Sequence, residues 1–245
     1  MSTPAALLVA LLATTVIVAV RYLLVSGALH WLTLRLRPGH VADLGAQIRR
    51  EIGWSMSAAA IYGALGGLML WAWHHLGATR IYTDWSAFPW WYAPLSLAVY
   101  LLVHDTWFYW THRLLHRPAL FRRYHAVHHA GRRPTAWTAM SFHPGESLVG
   151  AAILPALVFV VPVHVAVLGL VLTIMTVFGA TNHLGWEIFP GRLVKGPVGR
   201  WVITASHHQR HHENYRCNYG LYFRHWDRWC GTDRGLSAAL GEEKG

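Results

Sequence analysis

Residues 92–129 read YAPLSLAVYLLVHDTWFYWTHRLLHRPALFRRYHAVHH, and this stretch decides the fold. Its first half, Tyr92 to Trp110, is apolar and long enough to cross the hydrocarbon core of a bilayer, which needs about 20 residues. It continues without an obvious break into the pair His112 and His116. The chain therefore connects a predicted membrane span directly to side chains that can bind metals.

The composition of the whole chain is typical of a membrane protein. Of its 245 residues, 54% are hydrophobic and 13% are charged, whereas a soluble domain usually carries about 25% charged residues. Trp is abundant at 14 residues, and Trp collects at membrane interfaces. The net charge of +10 would suggest nucleic acid in a soluble protein. Here it is better explained by Arg residues facing anionic headgroups, so we expect no nucleic-acid partner.

Three more apolar segments predict membrane-embedded helices. Residues 5–29 and 52–76 are predicted spans, and residues 147–181 are interrupted by Pro162. One helix of that last length would overshoot the bilayer, so this segment predicts a hairpin with both ends on one side. We therefore predict an all-α fold in which residues 1–245 form a single domain, an integral membrane bundle of about four membrane-embedded helical elements.

Two features inside these spans predict how they pack. Gly63, Gly66 and Gly67 in the second span would let a neighbouring helix approach closely. Arg21 is the charged residue of the first span, and its long side chain is expected to reach toward the near interface.

The Arg residues between the spans predict the orientation. The connector Trp31–Glu51 carries four Arg and the connector Gly77–Trp91 carries one, so the positive-inside rule places the first in the cytoplasm. The span at 92–110 then ends on the cytoplasmic side, and the hairpin returns there. This predicts a multi-pass protein whose active site and C-terminus are cytoplasmic, with a histidine-rich cap formed by residues 111–146 and 182–234.

Histidine is unusually frequent, with 18 residues, and much of it is grouped. The three clusters are His112-Arg-Leu-Leu-His116, His125-Ala-Val-His128-His129 and His208-Gln-Arg-His211-His212. Spacings of three and four residues place side chains on one helical face, so each cluster can present two or three imidazoles toward one point. Eight imidazoles exceed what one ion uses, which predicts two metal ions. Imidazole suits iron, zinc, copper and nickel alike.

One carboxylate is positioned to support a cluster. Asp105 precedes His112 by seven residues, two helical turns on the same face, and could orient a ligand ring from behind. The alternative is a buried carboxylate satisfied by Arg113 or by a backbone group.

Three further histidines are weaker metal candidates. His104 is rotated about 80° from the first cluster on an ideal helix. His207 adjoins the third cluster but is out of phase with its spacing. His143 precedes Pro144, which fixes a turn, and Glu146 could cap the helix that follows.

These residues resemble a known family in order and spacing. The stretch Asp105-Thr-Trp-Phe-Tyr-Trp-Thr-His112-Arg-Leu-Leu-His116 and the second cluster are similar to the fatty acid hydroxylase superfamily, which includes sterol desaturases and sphingolipid hydroxylases. The resemblance continues through four shorter motifs and covers roughly residues 100–233. These motifs are His143-Pro-Gly-Glu146, Asn182-His183-Leu-Gly, the third cluster with Asn218-Tyr219-Gly220, and Trp226-Asp227.

The resemblance implies a non-haem di-iron enzyme that uses dioxygen. It implies hydroxylation or desaturation of a membrane lipid such as a sterol, fatty acyl, sphingoid or aminolipid. The eight cluster histidines then correspond to the metal ligands and His183 to a ninth, and zinc can replace iron in purified protein. Electrons would come from a separate ferredoxin-like or cytochrome b5-like donor with its reductase. Arg132, Arg133 and Arg210 are expected to help it dock, whereas Arg122 and Arg123 are expected to face anionic headgroups.

Two other functions use the same residues. A zinc-dependent membrane hydrolase could employ the same ligand set, although the H-E-x-x-H pattern of metalloproteases is absent. A non-enzymatic metal-binding or transport protein is the second alternative. It would be expected to place its ligands within the spans, whereas these clusters follow the span ends.

Overall fold

The computed structural model describes residues 3–131 and 133–238, and helices dominate it. The helices are α1 (Thr3–Leu36), α2 (Gly45–Leu76), α3 (Tyr92–Leu115), α4 (Pro118–Leu120), α5 (Pro144–Ala151), α6 (Ile153–Val160), α7 (Val165–Asn182), α8 (Gly191–Val194), α9 (Ala205–Glu213) and α10 (His225–Trp229). The strands are β1 (Ile81–Tyr82) and β2 (Val163–His164). Arg132, expected to help an electron donor dock, lies outside the described residues.

The long helices confirm the predicted all-α membrane bundle. Among the described residues α1, α2 and α7 are long and apolar enough to cross a membrane. The predicted span at 92–110 lies within α3, which has 24 residues but is less apolar because its second half carries histidine, Asp105 and Arg113. Residues of α1 such as Leu12, Val16 and Leu24 are exposed, as expected for a lipid-facing surface.

The first two helices extend beyond the predicted spans. With 34 residues, α1 is about 51 Å long at 1.5 Å per residue, whereas the hydrocarbon core is about 30 Å thick. Most of the predicted polar connector Trp31–Glu51 is therefore helical, and residues 37–44 alone join α1 to α2. Hydropathy marks where lipid contact stops, but a helix continues as long as its backbone hydrogen bonds remain favourable.

Close packing of α1 on α2 depends on two glycines. A Cβ on Gly63 would lie 2.3 Å from the Cα of Thr15, and one on Gly67 would lie 2.6 Å from the Cα of Leu11. Thr14 Oγ1 donates to the carbonyl of Gly63 at 2.6 Å. The expected small-residue contact is thus present at Gly63 and Gly67, whereas a Cβ on Gly66 would meet only an ordinary contact at 3.8 Å.

The predicted hairpin consists of three helices. Pro155 has no N–H to donate to the carbonyl four residues earlier, and the helix is interrupted at Ala152, between α5 and α6. The chain then reverses at Val161 and Pro162 before α7 begins. The Tyr100 hydroxyl of α3 donates to the carbonyl of Val161 at 2.8 Å and holds this reversal against the bundle.

The two ends of the bundle are held together by different contacts. At one end β1 pairs in parallel with β2, joining the α2–α3 connector to the α6–α7 reversal. His164 Nε2 lies 3.0 Å from the carbonyl of Thr83 at this end. At the other end Gln47 donates to the carbonyl of Arg133 at 2.7 Å, which attaches the start of α2 to the segment that follows the second histidine cluster.

The glycine contact can be tested with two identical substitutions. Gly63→Ala should lower the free energy of unfolding by about 1–3 kcal/mol, because the added methyl group forces two backbones apart. Gly66→Ala should leave the stability unchanged or slightly higher, since Ala favours helix and the site has room. Thermal unfolding in detergent measures the stability of both variants. Equal unfolding midpoints would contradict the close packing of Gly63 against α1.

Candidate metal centre

The first histidine cluster lies at the end of α3. His112 occupies its last turn and His116 is its C-terminal cap, one turn further on. Their side chains are on one face, as the four-residue spacing predicts, and their Nε2 atoms are 3.3 Å apart.

The second cluster is carried by two short non-α turns. A π-helical turn, Phe121–His125, is followed by the 3₁₀ turn His128–Ala130. His125 and His129 face each other with their Nε2 atoms 3.1 Å apart. His128 points elsewhere, and its Nε2 lies 3.1 Å from the Nε2 of His183 at the end of α7.

The third cluster lies on α9, and its rings also point toward two different sets of histidines. His208 Nε2 is 2.9 Å from His183 Nε2, whereas His211 Nε2 is 3.3 Å from His129 Nε2. Two groups result, and the candidate ligand atoms within each lie within 4.8 Å of one another. The first group is His112, His116, His125, His129 and His211, and the second is His128, His183, His208 and His212.

The spacing of the nitrogens suits metal ions. Metal–imidazole bonds of about 2.0–2.1 Å place neighbouring ligand atoms about 3.0 Å apart in an octahedron and about 3.4 Å apart in a tetrahedron. The Nε2–Nε2 distances of 2.9 to 3.3 Å fall in this range. A neutral ring has one N–H, and where Nδ1 donates it to an acceptor outside the group, Nε2 has a lone pair and cannot donate to a neighbouring ring. The nine residues therefore fit two cations, one in each group.

Burial keeps these rings in the form that binds metal. Desolvation, and then the charge of neighbouring histidines, lowers the pKa of several members well below the ordinary value of 6.5. These are His125, His128, His129, His208 and His212. The same burial lowers the pKa of His211. A ring that stays neutral keeps a lone pair for a metal ion.

Backbone carbonyls fix the orientation of three rings. His112 Nδ1 lies 2.8 Å from the carbonyl of Tyr219, and His211 Nδ1 lies 2.7 Å from that of Cys217. His183 Nδ1 is 2.6 Å from the carbonyl four residues earlier in α7. Each Nδ1–H donates to its carbonyl, so the Nε2 lone pair faces the other histidines of the group.

A carboxylate that sequence reasoning assigned to another role orients a fourth ring. Glu146 Oε1 accepts from His125 Nδ1 at 2.7 Å, and both residues are buried. Glu146 was expected to cap a helix, but the His143 ring does so by accepting from the Gly145 amide. In the sequence, Glu146 stood out only as part of the motif His143-Pro-Gly-Glu146, which resembles the family.

Asp105 does not contact a ligand ring, and the expected direct role is corrected. Its Oδ1 accepts from the backbone amides of Leu221 and Tyr222 at 3.3 and 2.8 Å. These bonds match the alternative prediction, in which backbone groups donate hydrogen bonds to a buried carboxylate. Asp227 binds the adjacent amides of Tyr219 and Gly220, both at 2.9 Å. The two aspartates hold the segment whose Tyr219 carbonyl orients His112.

The three weaker candidates lie outside both groups. His104 Nδ1 lies 3.1 Å from the hydroxyl of Tyr222. His143 caps α5, and His207 takes part in the capping box of Thr204 at the start of α9.

An apolar cavity reaches the two histidine groups. It has a volume of about 480 Å³ and lies between α1, α2, α3 and the α5–α7 hairpin. Side chains such as Met140, Phe142 and Leu172 form much of its wall. The rings of His112 and His125 from the first group, and of His128 and His183 from the second, also line it. A hydrocarbon chain in this cavity would lie beside both groups.

Buried imidazole groups beside an apolar cavity in a membrane bundle define a class of membrane-embedded protein that can hold two metal ions next to a lipid. The sequence model of the family described as fatty acid hydroxylase matches residues 97–232. The chain belongs to this family.

Three relatives illustrate the similarity. The chain is 28% identical to a Delta(7)-sterol 5(6)-desaturase of Gibberella zeae over 195 residues, 80% of this chain and 58% of the relative. It is 27% identical to the lathosterol oxidase of Homo sapiens over 205 residues, 83% of this chain and 67% of the relative. It is 34% identical to methylsterol monooxygenase 1 of Rattus norvegicus over 152 residues, 61% of this chain and 50% of the relative. No solved structure matches the chain.

The contact of Glu146 with His125 predicts a selective effect on metal affinity. Glu146→Gln keeps the size of the side chain but replaces the carboxyl oxygen that accepts from His125 with a weaker amide acceptor, and it should weaken metal binding by about 10–100-fold. Metal retained against increasing chelator, measured by elemental analysis, reports the change. Asp84→Asn, which neutralises an exposed carboxylate in the α2–α3 connector, is the control and should retain metal like the wild type. Unchanged retention in Glu146→Gln would refute the orienting role.

Proposed function

We propose that this protein oxidises a C–H bond of a membrane lipid with dioxygen at two iron ions held by the nine histidines. The observation that carries the proposal is the position of two buried imidazole groups on the wall of an apolar cavity. Relatives named as a sterol desaturase, a lathosterol oxidase and a methylsterol monooxygenase support oxidative chemistry on a lipid.

In this proposal the first group holds one iron through five rings and the second holds the other through four. Iron bound by neutral nitrogen ligands with an open position can activate dioxygen for attack on an unactivated C–H bond. Zinc could occupy the same ligands in purified protein, since it binds nitrogen ligands more tightly than ferrous iron.

The residues of the chain contribute binding, orientation and exclusion of water. The apolar wall holds the hydrocarbon part of the lipid beside the imidazoles and keeps water away from the reacting carbon. Glu146 and the carbonyls of Gly179, Cys217 and Tyr219 keep the rings fixed, so little reorganisation is needed during the reaction. Hydroxylation and desaturation both begin with removal of hydrogen from carbon, so the same site serves either outcome.

A separate electron donor, ferredoxin-like or cytochrome b5-like with a reductase, completes the proposal. Complementary charge speeds such encounters, and the surface beside the histidines is basic. Two of its Arg residues are partly engaged within the protein: Arg133 pairs with Asp43, and Arg210 lies 3.8 Å from Glu213. Arg122 and Arg123 are exposed and are available to an acidic donor.

The reaction can be tested on purified protein together with its lipid product. The wild type should hold about two metal ions per chain. When supplied with iron, reductant and host lipid, it should consume oxygen and add one oxygen atom to a lipid or remove two hydrogens. His128→Ala and His208→Ala should lose activity and metal, whereas His74→Ala, an exposed residue near the end of α2, should retain both.

Lipid mass spectrometry and elemental analysis give the readout. Full activity in His128→Ala would refute the assignment of the second group. Turnover that requires zinc and water but no oxygen would favour the hydrolase alternative, and metal transport without a lipid product would favour a transporter.

We also propose that the histidine groups face the cytoplasm. The connector Trp31–Glu51, with its four Arg residues, lies at the same end of the bundle as the histidines, and Arg50 donates to the carbonyl of Ala130 at 3.3 Å. The positive-inside rule places this end in the cytoplasm, where reductants are available.

Reporter fusions test this orientation. A reporter after Gly245 should be active in the cytoplasm, and one inserted in the Gly77–Trp91 connector should be active on the opposite side. Reversed activities at these two sites would show that the histidine groups face away from the reducing compartment and would refute the proposed orientation.

A further inference from the structure

Arg21 is a cation on the wall of the apolar cavity. It lies in α1, within a helix long and apolar enough to cross the membrane, and it lines the cavity together with His112 and His128. From the sequence it was expected to extend toward the interface. The structure places its side chain on the cavity wall, with Nε buried and without a hydrogen-bond partner.

The face of α1 that carries Arg21 is held firmly in place. The Tyr22 hydroxyl donates to the carbonyl of Trp137 at 2.8 Å, and Ser26 Oγ donates to the carbonyl of Ala136 at 2.9 Å. These bonds join α1 to the segment that precedes Met140 and Phe142, both of which line the same cavity. The guanidinium is therefore presented to the cavity by a fixed backbone.

No anionic side chain balances this charge. Within residues 3–131 and 133–238, Arg21 makes neither an ion pair nor a hydrogen bond. Glu146 is the carboxylate among the residues that line the cavity, and it accepts from His125. Charged residues inside a membrane protein normally pair with one another or with a ligand, because an unpaired charge in apolar surroundings is strongly unfavourable.

The chemistry of the guanidinium indicates which ligand would balance it. Its planar set of N–H donors matches two oxygens of a carboxylate or phosphate and forms short charge-assisted hydrogen bonds with them. A neutral hydroxyl offers one acceptor and leaves the charge uncompensated. The cavity wall is otherwise apolar enough to hold the hydrocarbon chain of the same molecule.

We infer that Arg21 binds the anionic headgroup, a carboxylate or a phosphate, of the lipid whose hydrocarbon chain fills the cavity. The inference rests on the proposed function, because it takes the cavity to be the substrate site. It adds that the substrate is an anionic amphiphile held at its polar end. The separation between Arg21 and the imidazoles on the cavity wall then selects the carbon that is oxidised.

Binding of three amphiphiles with the same hydrocarbon chain tests the inference without turnover. Palmitate, hexadecyl phosphate and 1-hexadecanol are titrated into the metal-loaded protein in nanodiscs. The wild type should bind one of the two anions at least about tenfold more tightly than the alcohol, as expected for a charge-assisted contact. A preference for palmitate identifies a fatty-acid carboxylate as the source, and a preference for hexadecyl phosphate identifies a phospholipid.

Three variants show whether Arg21 causes the preference. Arg21→Gln should reduce the ratio of the anion and alcohol affinities to about one, while the affinity for 1-hexadecanol stays unchanged. Arg21→Lys, which keeps the charge but loses the planar donor set, should retain part of the ratio. Arg80→Gln removes the same charge from an exposed position in the α2–α3 connector and should leave the ratio intact. Thermal unfolding of Arg21→Gln without added lipid should occur at an equal or higher temperature, because an unpaired charge has been removed.

The outcomes separate this inference from the proposed function. Equal wild-type affinities for the anions and the alcohol, or an anion preference that survives Arg21→Gln, would overturn the role of Arg21 even if lipid oxidation is observed. An Arg21-dependent preference in a protein that yields no oxidised lipid would support the headgroup site and refute the proposed reaction.

Discussion

Nine buried or half-buried imidazoles, eight of which bring their Nε2 atoms to within 2.9 to 3.3 Å of another ring, are the constraint on which the rest of this structure depends. Lone pairs about 3 Å apart repel one another, so this arrangement favours a cation between the rings. The protein holds these rings from outside the groups. Backbone carbonyls and Glu146 accept hydrogen bonds from the Nδ1 atoms of four rings. The Nε2 atoms of these rings therefore point toward the other histidines.

The supports of these rings come from distant parts of the chain. The carbonyl that orients His112 belongs to Tyr219, 107 residues later, and the carboxylate that orients His125 belongs to α5. Asp105 and Asp227 bind four successive backbone amides, from Tyr219 to Tyr222, and keep the Tyr219 carbonyl in position. Two buried aspartates thereby act on a candidate metal ligand through the backbone, without touching its ring.

The membrane bundle supplies the other half of the site. Packing of α1 on α2 through Gly63 and Gly67, together with the reversal of the α5–α7 hairpin, encloses an apolar cavity that ends at the histidines. The cavity lies between membrane helices, so a lipid could enter it from the bilayer without crossing water. The same geometry makes a charged wall residue such as Arg21 consequential, because few polar atoms are available to balance it.

The sequence by itself determined the local features of this protein. Hydropathy predicted the membrane helices, the four-residue histidine spacings predicted which rings lie together, and the number of clustered imidazoles predicted two metal ions. Tertiary structure alone decided how the clusters are divided. The adjacent residues His128 and His129 belong to different groups, and Glu146 rather than Asp105 meets a ligand ring. Spacing reports neighbours within a turn or two of one helix, whereas these contacts join segments whose separation is set by the packing of the whole bundle.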